Sequence, residues 1–297
     1  MIKLVNFSKR YGSFQAVYPT DLHVRKGETY ALLGPNGGGK TTTFKSMIGL
    51  TKPTTGKVLI DGASLWEEPE KTKAKLSFLP QRITIPDNLT VQEVLNFFAM
   101  LKNSPVDRME EVLSYIDLMS QFNQYIGELS GGMLQRLGLV ITFLADTEIY
   151  ILDEPTLSLD LHGMKHFRKY LKHLNEQGKT IVFSSHALLD AESLADNVGV
   201  LVNGRLVLNL SVADFRSRVK DRSKMVLVLT DKNPGLVDLA YKHGASFAEF
   251  ENGYFRYQAD QVNQIRIIEA IRNGGDEIIN ISTEKPDLNQ IIEEYNG

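Results

Sequence analysis

Gly34-Pro35-Asn36-Gly37-Gly38-Gly39-Lys40-Thr41-Thr42 is the stretch on which the fold of this chain turns. It meets the spacing G-x-x-x-x-G-K-[ST] at Gly34, Gly39, Lys40 and Thr41. Glycines at these places permit positive φ and let the main chain approach a ligand closely. Their N–H groups can converge on phosphate oxygens, reinforced by the positive end of a following helix. In that arrangement Lys40 reaches the β- and γ-phosphates, and the Thr41 hydroxyl is a ligand for Mg²⁺. The plain structural alternative is a glycine-rich turn that fits the pattern by accident, so the flanking segments have to decide.

They support the phosphate loop. Glu28 to Leu33 (ETYALL) is short and apolar, as a buried strand is, and Thr42 to Leu50 has the composition of a helix. Residues 1 to 30 alternate like antiparallel strands. Strand signals return at Lys57 to Ile60, Lys75 to Leu79, Ile149 to Leu152, Thr180 to Ser184 and Asn197 to Val202. A helix over 162–176 separates two of them, which predicts a largely parallel sheet. Between them, roughly residues 82 to 145 form a helical insert, opened by the capping pair Thr90 and Glu93.

The chain has 297 residues, 42% of them hydrophobic, a net charge of −3 and no cysteine. That is enough for one large domain or two. It excludes a disulfide framework and thiolate metal sites, and it gives no general attraction to nucleic acid. No stretch reaches the ~18–20 apolar residues of a membrane span, and the N-terminus does not read as a secretory signal. The expectation is a soluble protein, or one held at a membrane only by a partner.

Two further segments carry chemistry. Ile149 to Leu152 runs into Asp153-Glu154-Pro155. At the carboxyl end of a parallel strand these carboxylates would lie beside the phosphate loop, with Asp153 in the Mg²⁺ shell and Glu154 taking a proton from, or orienting, the attacking water; the plain alternative is a solvated strand end. Ser130-Gly131-Gly132 opens a helix with an N-cap serine and bare N–H groups, a second anion site of the same physical kind or simply an ordinary capped helix.

Together these motifs resemble the ATP-binding subunits of ATP-binding cassette (ABC) transporters, over about residues 1 to 210, with seven motifs in order. The resemblance implies an α/β P-loop ABC ATPase fold: a mixed, largely parallel sheet, an antiparallel β-subdomain and a helical subdomain. Gly34 to Thr41 matches the Walker A loop. Gln81 matches the Q-loop glutamine that contacts Mg²⁺ and water. Ser130-Gly131-Gly132 matches the signature. Asp153 and Glu154 match the Walker B aspartate and the catalytic glutamate. Ser158-Leu159-Asp160 matches the D-loop, His186 the switch histidine that senses the γ-phosphate, and Tyr11 the aromatic that stacks on adenine. Gly38 departs from the family's usual Ala, Ser or Cys, implying a more flexible loop, and Met133 replaces a common Gln.

The resemblance further implies ATP and Mg²⁺ as cofactors and a homodimer joined through ATP, each nucleotide lying between one copy's phosphate loop and the other's Ser130 to Gly132. It implies an integral-membrane permease as partner, docked on the helical insert around Gln81 to Leu101, and a place on the cytoplasmic face of the membrane. Export fits a single cassette with a C-terminal appendage better than import. A soluble ABC ATPase outside transport and a non-catalytic ATP-binding scaffold are the alternatives. The first lacks its usual second cassette or coiled coil, and intact Glu154 and His186 oppose the second.

Domain boundaries are expected at 1–213 for the nucleotide-binding domain, 214–223 for a charged linker or connecting helix, and 224–297 for an accessory α+β domain. In that last region the strand–helix order β-α-β-β-α-β, with Asn252-Gly253 as a hairpin turn, predicts a ferredoxin-like fold. A final helix is expected over Asp287 to Tyr295. His162 and His166, four apart on a helix, have metal-binding spacing. No carboxylate accompanies them in the sequence and Lys165, Lys169 and Lys172 surround them, so a solvated helix face is the favoured reading.

Overall fold

The apolar run that precedes the phosphate loop becomes the centre of a sheet. The computed structural model describes residues 1–221, 224–229, 233–251 and 254–284. It divides into two compact units, Met1–Val212 and Ala213–Gly297.

In the first unit the strands are β1 (Ile2–Tyr11), β2 (Phe14–Val24), β3 (Thr29–Leu33), β4 (Thr55–Ile60), β5 (Ala63–Ser64), β6 (Leu76–Leu79), β7 (Ile149–Leu152), β8 (Thr180–Ser185), β9 (Asn197–Val202) and β10 (Arg205–Ser211). The helices are α1 (Lys40–Met47), α2 (Pro69–Lys73), α3 (Val91–Leu101), α4 (Val106–Ile116), α5 (Gly131–Leu144), α6 (Leu161–Glu176) and α7 (Leu188–Leu194). A six-stranded sheet runs β10-β9-β3-β8-β7-β6 and is parallel except for β10 at its edge. Every residue of β3, β7 and β8 is buried, as expected where both faces of a parallel sheet are covered. The antiparallel sheet β2-β1-β4-β5 shares a core with it: Phe44 and Met47 of α1 pack with Phe7, Val58 and Ile151. Each of these two α1 side chains is fully buried, which stabilises the fold by roughly 1.5–3 kcal/mol apiece.

The register of the parallel strands places the chemistry. Leu33 pairs with Ser185, Leu79 with Leu152, and Leu152 with Phe183. The segments that leave β3, β8, β7 and β6 therefore emerge side by side at one carboxyl edge. Those segments carry Gly34, His186, Asp153 and Gln81 in turn, and this edge is where ligands of open α/β sheets bind. The helical insert is α3, α4 and α5. Helix α3 begins as its sequence predicts: the Thr90 side chain accepts from the Glu93 N–H at 3.2 Å, and Glu93 accepts from the Thr90 N–H at 2.8 Å.

Helix α8 (Val212–Asp221) starts at the boundary between the units, so the charged segment expected there is helical. The second unit continues through β11 (Lys224–Leu229), α9 (Leu236–Lys242), β12 (Phe247–Glu251), β13 (Tyr254–Gln258), α10 (Gln261–Asn273) and β14 (Ile278–Glu284). Its sheet order is β12-β13-β11-β14, antiparallel throughout. That is the ferredoxin-like arrangement, with Leu236, Ala240, Ile267 and Ile271 of the two helices packed on Leu227, Phe255 and Tyr257. The turn Asn252-Gly253 and the segment Asp287 to Tyr295 lie outside the described residues.

Candidate functional site

The phosphate loop connects β3 to α1, and its glycines are required by positive φ at Gly37 and by close packing at Gly34, Gly38 and Gly39. Gly37 and Gly39 have φ of 78° and 106°. A Cβ at Gly34 would overlap the Leu201 carbonyl, and one at Gly39 would lie 2.8 Å from the Ala16 carbonyl. Gly38 differs from the sequence-based expectation of a merely looser loop. A Cβ there would sit 2.8 Å from Leu201 O and 3.0 Å from Pro35 O, and its own carbonyl accepts from the Gly204 N–H at 3.0 Å. The loop is pressed against the β9–β10 turn, and glycine at 38 permits that approach.

In front of the loop lies a cavity of about 370 Å³, lined by Pro35 to Thr42 together with Phe14, Ala16, Gln81 and Glu154. Lys40, the first residue of α1, is 6% exposed. Its ammonium donates to Gly34 O at 2.7 Å and Pro35 O at 3.2 Å, and stands 3.3 Å from Glu154 Oε1. Glu154 is 3% exposed and has φ 51°, a left-handed conformation unusual for a carboxylate residue. Its Oε2 is 3.0 Å from His186 Nδ1, whereas Oε1 receives no hydrogen bond. The carboxylate is thus suspended between an ammonium and a half-exposed imidazole at the mouth of the cavity.

Asp153 is 1% exposed. Its Oδ1 accepts from the Ser184 hydroxyl at 2.6 Å, while Oδ2 is buried with no partner. A buried, unpartnered carboxylate oxygen is costly and fits a cation. Thr41 and Gln81, which line the cavity, also offer hard oxygen donors, so the residue types present fit Mg²⁺, held directly or through water.

Ser184 was not singled out by the sequence. The same hydroxyl that donates to Asp153 accepts from the Glu154 N–H at 2.8 Å, so one buried side chain ties the Asp153 carboxylate to the Glu154 main chain. Ser184→Ala leaves two buried polar groups unpaired, at about 1–3 kcal/mol each. We expect urea denaturation to show a loss of about 2–6 kcal/mol, with a fall in ATP turnover. Unchanged stability would contradict this role. The next residue, Ser185, acts in a similar way: it donates to Asp190 at 2.7 Å, which also receives the Thr156 hydroxyl at 2.8 Å.

Ser130, Gly131 and Gly132 are not among the residues that line the cavity. Ser130 caps α5 by accepting from the Met133 N–H at 3.3 Å. The helix is tied to the Glu154 segment by Gln135, a residue missed in the sequence: its buried amide donates to Pro155 O at 3.1 Å. Gly132 packs on the D-loop, where a Cβ would lie 2.8 Å from Ser158 O. Asp160 is also away from the cavity. It caps α6 through the Gly163 N–H at 2.7 Å and pairs with Arg136 at 2.8 Å. These two contacts hold its carboxyl below the usual range, so what they contribute to stability is present above that range and is lost as pH falls through the lowered value. Tyr11 is exposed at the end of β1 with the Lys9 ammonium 4.8 Å from its ring centre, and the aromatic side chain that lines the cavity is Phe14.

Comparison with known proteins agrees with this geometry. The family described as ABC transporter matches residues 17–157. The chain is 30% identical, over 84% of its length and 83% of the relative's, to the linearmycin resistance ATP-binding protein LnrL of Bacillus subtilis. It is 34% identical to the bacitracin transport ATP-binding protein BcrA of Bacillus licheniformis, covering 80% of this chain and 78% of that one. Among solved structures, an ATP-binding subunit of an ABC transporter superposes with a TM-score of 0.67 at 29% identity, covering 73% of this chain and 92% of that one. A dimeric post-hydrolysis state of the cassette MJ0796 with ADP and Pi superposes with a TM-score of 0.65 at 27% identity, covering 71% and 99%. With the phosphate loop, the paired carboxylates and His186 meeting at one sheet edge, the chain belongs to the ABC transporter family as an ATP-binding, ATP-hydrolysing subunit.

Proposed function

We propose that two copies of the chain bind two ATP molecules and drive export through a separate integral-membrane permease, from its cytoplasmic face. The observation that carries the catalytic role is Glu154, held between Lys40 and His186 where a γ-phosphate would enter. Lys40 binds the β- and γ-phosphates. Asp153, Thr41 and Gln81 hold Mg²⁺, which would neutralise charge on the transferred phosphoryl group. Glu154 accepts the proton of the attacking water, and His186 fixes that carboxylate and reads the γ-phosphate. The loop residues Gly34 to Thr42 cradle the triphosphate, with the adenine near Tyr11 and Phe14. Ser130, Gly131, Gly132 and Asp160 of the second copy complete the site, consistent with their position outside this chain's own cavity.

A second cavity supports the permease. It has a volume of about 330 Å³ and is lined by Thr84, Ile85, Pro86, Leu89, Val94, Phe97 and Phe98, with Glu93 at its rim. Phe97, Met100 and Leu101 of α3 are 62%, 80% and 65% exposed. An apolar groove of this kind suits a short amphipathic helix from a partner. It follows Gln81 directly in the chain, so a docked helix and the Mg²⁺ site share one loop. The names of the relatives, bacitracin transport and linearmycin resistance, favour export.

A multi-span permease encoded beside this chain is the partner to test. Phe97→Glu should release the subunit from membranes containing that permease, by tenfold or more in the bound fraction. The ATPase activity of the isolated subunit should stay unchanged. Equal membrane retention by the variant and the natural protein would count against docking at this groove.

A further inference from the structure

His162 and His166 lack a carboxylate partner in the sequence, and folding supplies one. Asp117 ends α4 in a left-handed conformation, φ 56° and ψ 56°, facing the first turns of α6. Its Oδ2 is 2.8 Å from His162 Nε2. The centres of the two imidazole rings are 4.5 Å apart, and one ligand atom from each of Asp117, His162 and His166 lies within 4.8 Å of the others. His166 Nδ1 is 2.9 Å from the main-chain oxygen of Tyr115. A carbonyl can only accept, so Nδ1 carries the proton and Nε2 keeps its lone pair. An imidazole N–H given to a backbone carbonyl is the usual outer partner of a metal-bound histidine.

We propose that Asp117, His162 and His166 bind one divalent transition-metal ion, with Zn²⁺ the best match to two imidazoles and a carboxylate. Mg²⁺ and Ca²⁺ prefer oxygen ligands throughout, so this is not a second copy of the hydrolytic metal site. Three protein ligands leave the fourth tetrahedral position to water. At metal–ligand distances near 2.0–2.1 Å the ligand atoms stand roughly 3.3 Å apart, so the set must close slightly. Asp117 and His162 are exposed, so solvent leaves room for that movement once Arg136 releases Asp117 Oδ2.

Three of the nearby cations, Arg136, Lys169 and Lys172, have other partners. Arg136 lies 3.4 Å from Asp117 Oδ2, but it also holds Asp160 at 2.8 Å and the Asp117 main-chain oxygen at 3.3 Å. It can give up the Asp117 carboxylate and remain anchored. Lys169 sits over the Tyr115 ring, 5.4 Å from its centre, and Lys172 faces Glu176 at 3.8 Å. Binding would brace the C-terminal end of α4, in the helical insert, against the start of α6. That start is where Asp160 caps the helix and Arg136 joins it to α5.

The test uses the untagged full chain, stripped with chelator and free of nucleotide, titrated with Co²⁺ and then with competing Zn²⁺. One equivalent of Co²⁺ should bind with visible absorption of a four-coordinate site, displaced by Zn²⁺. Asp117→Asn, His162→Gln and His166→Gln should each weaken binding at least tenfold, while His173→Gln leaves it unchanged. Thermal unfolding in chelator checks that each variant is folded. Absence of saturable Co²⁺ binding, or variants at 162 and 166 that bind like the natural protein, would overturn the proposal.

Discussion

Glu154→Gln is expected to bind ATP and fail to turn it over. The amide keeps the size of the side chain and can still meet His186, so the fold of the segment should survive. What disappears is the negative charge that accepts a proton, a role worth about 10²–10⁴ in rate. The same change removes the charged partner that Lys40 holds at 3.3 Å, which frees the ammonium for phosphate. ATP affinity should therefore match or exceed that of the natural protein, while turnover falls by about 100-fold or more. Size-exclusion chromatography with Mg²⁺ and ATP should show a persistent dimer. Turnover at the natural rate would remove Glu154 from the mechanism.

Lys40→Ala should have two separable effects. The first is on the ligand. A charge-assisted hydrogen bond to phosphate contributes about 1.5–3 kcal/mol, so titration with a fluorescent ATP analogue should show an affinity lower by roughly 10- to 100-fold. The second is on the protein alone. Glu154 would stay buried with only the His186 contact, and loss of one partner from a buried ion pair costs about 3–5 kcal/mol. Urea denaturation without nucleotide should detect it. An ATP affinity within twofold of the natural protein would defeat the assignment of Lys40.

The catalytic edge was legible because each of its components is a local pattern: a glycine loop after an apolar strand, two acids at the end of another, a histidine after a third. Hydrophobic runs placed the strands, and β-α-β-β-α-β order anticipated the topology of β11 to β14. What escaped were residues whose partners lie far away in the chain. Ser184 joins Asp153 and Glu154 from 30 or more residues on, and Gln135 reaches Pro155 across 20. Neither belongs to a spacing rule, and a serine ending an apolar strand looks like any other. Asp117 was missed for the same reason, because it meets His162 only when α4 and α6 pack together. Phe14 was passed over beside Tyr11, since proximity in sequence does not say which ring faces the loop.

The Gln135 amide and the Gly132–Ser158 contact have one more consequence. In the dimer proposed above, they would fasten the anion site that a subunit lends to its partner onto the peptide that carries its own Glu154. A subunit would then loosen its grip on the neighbour's nucleotide only by tugging on its own Glu154. The two ATP sites would be geared rather than independent, coupled within each subunit by the Gln135–Pro155 hydrogen bond. A mixed dimer carrying a single Glu154→Gln copy would report that gearing directly, in the turnover of the intact site.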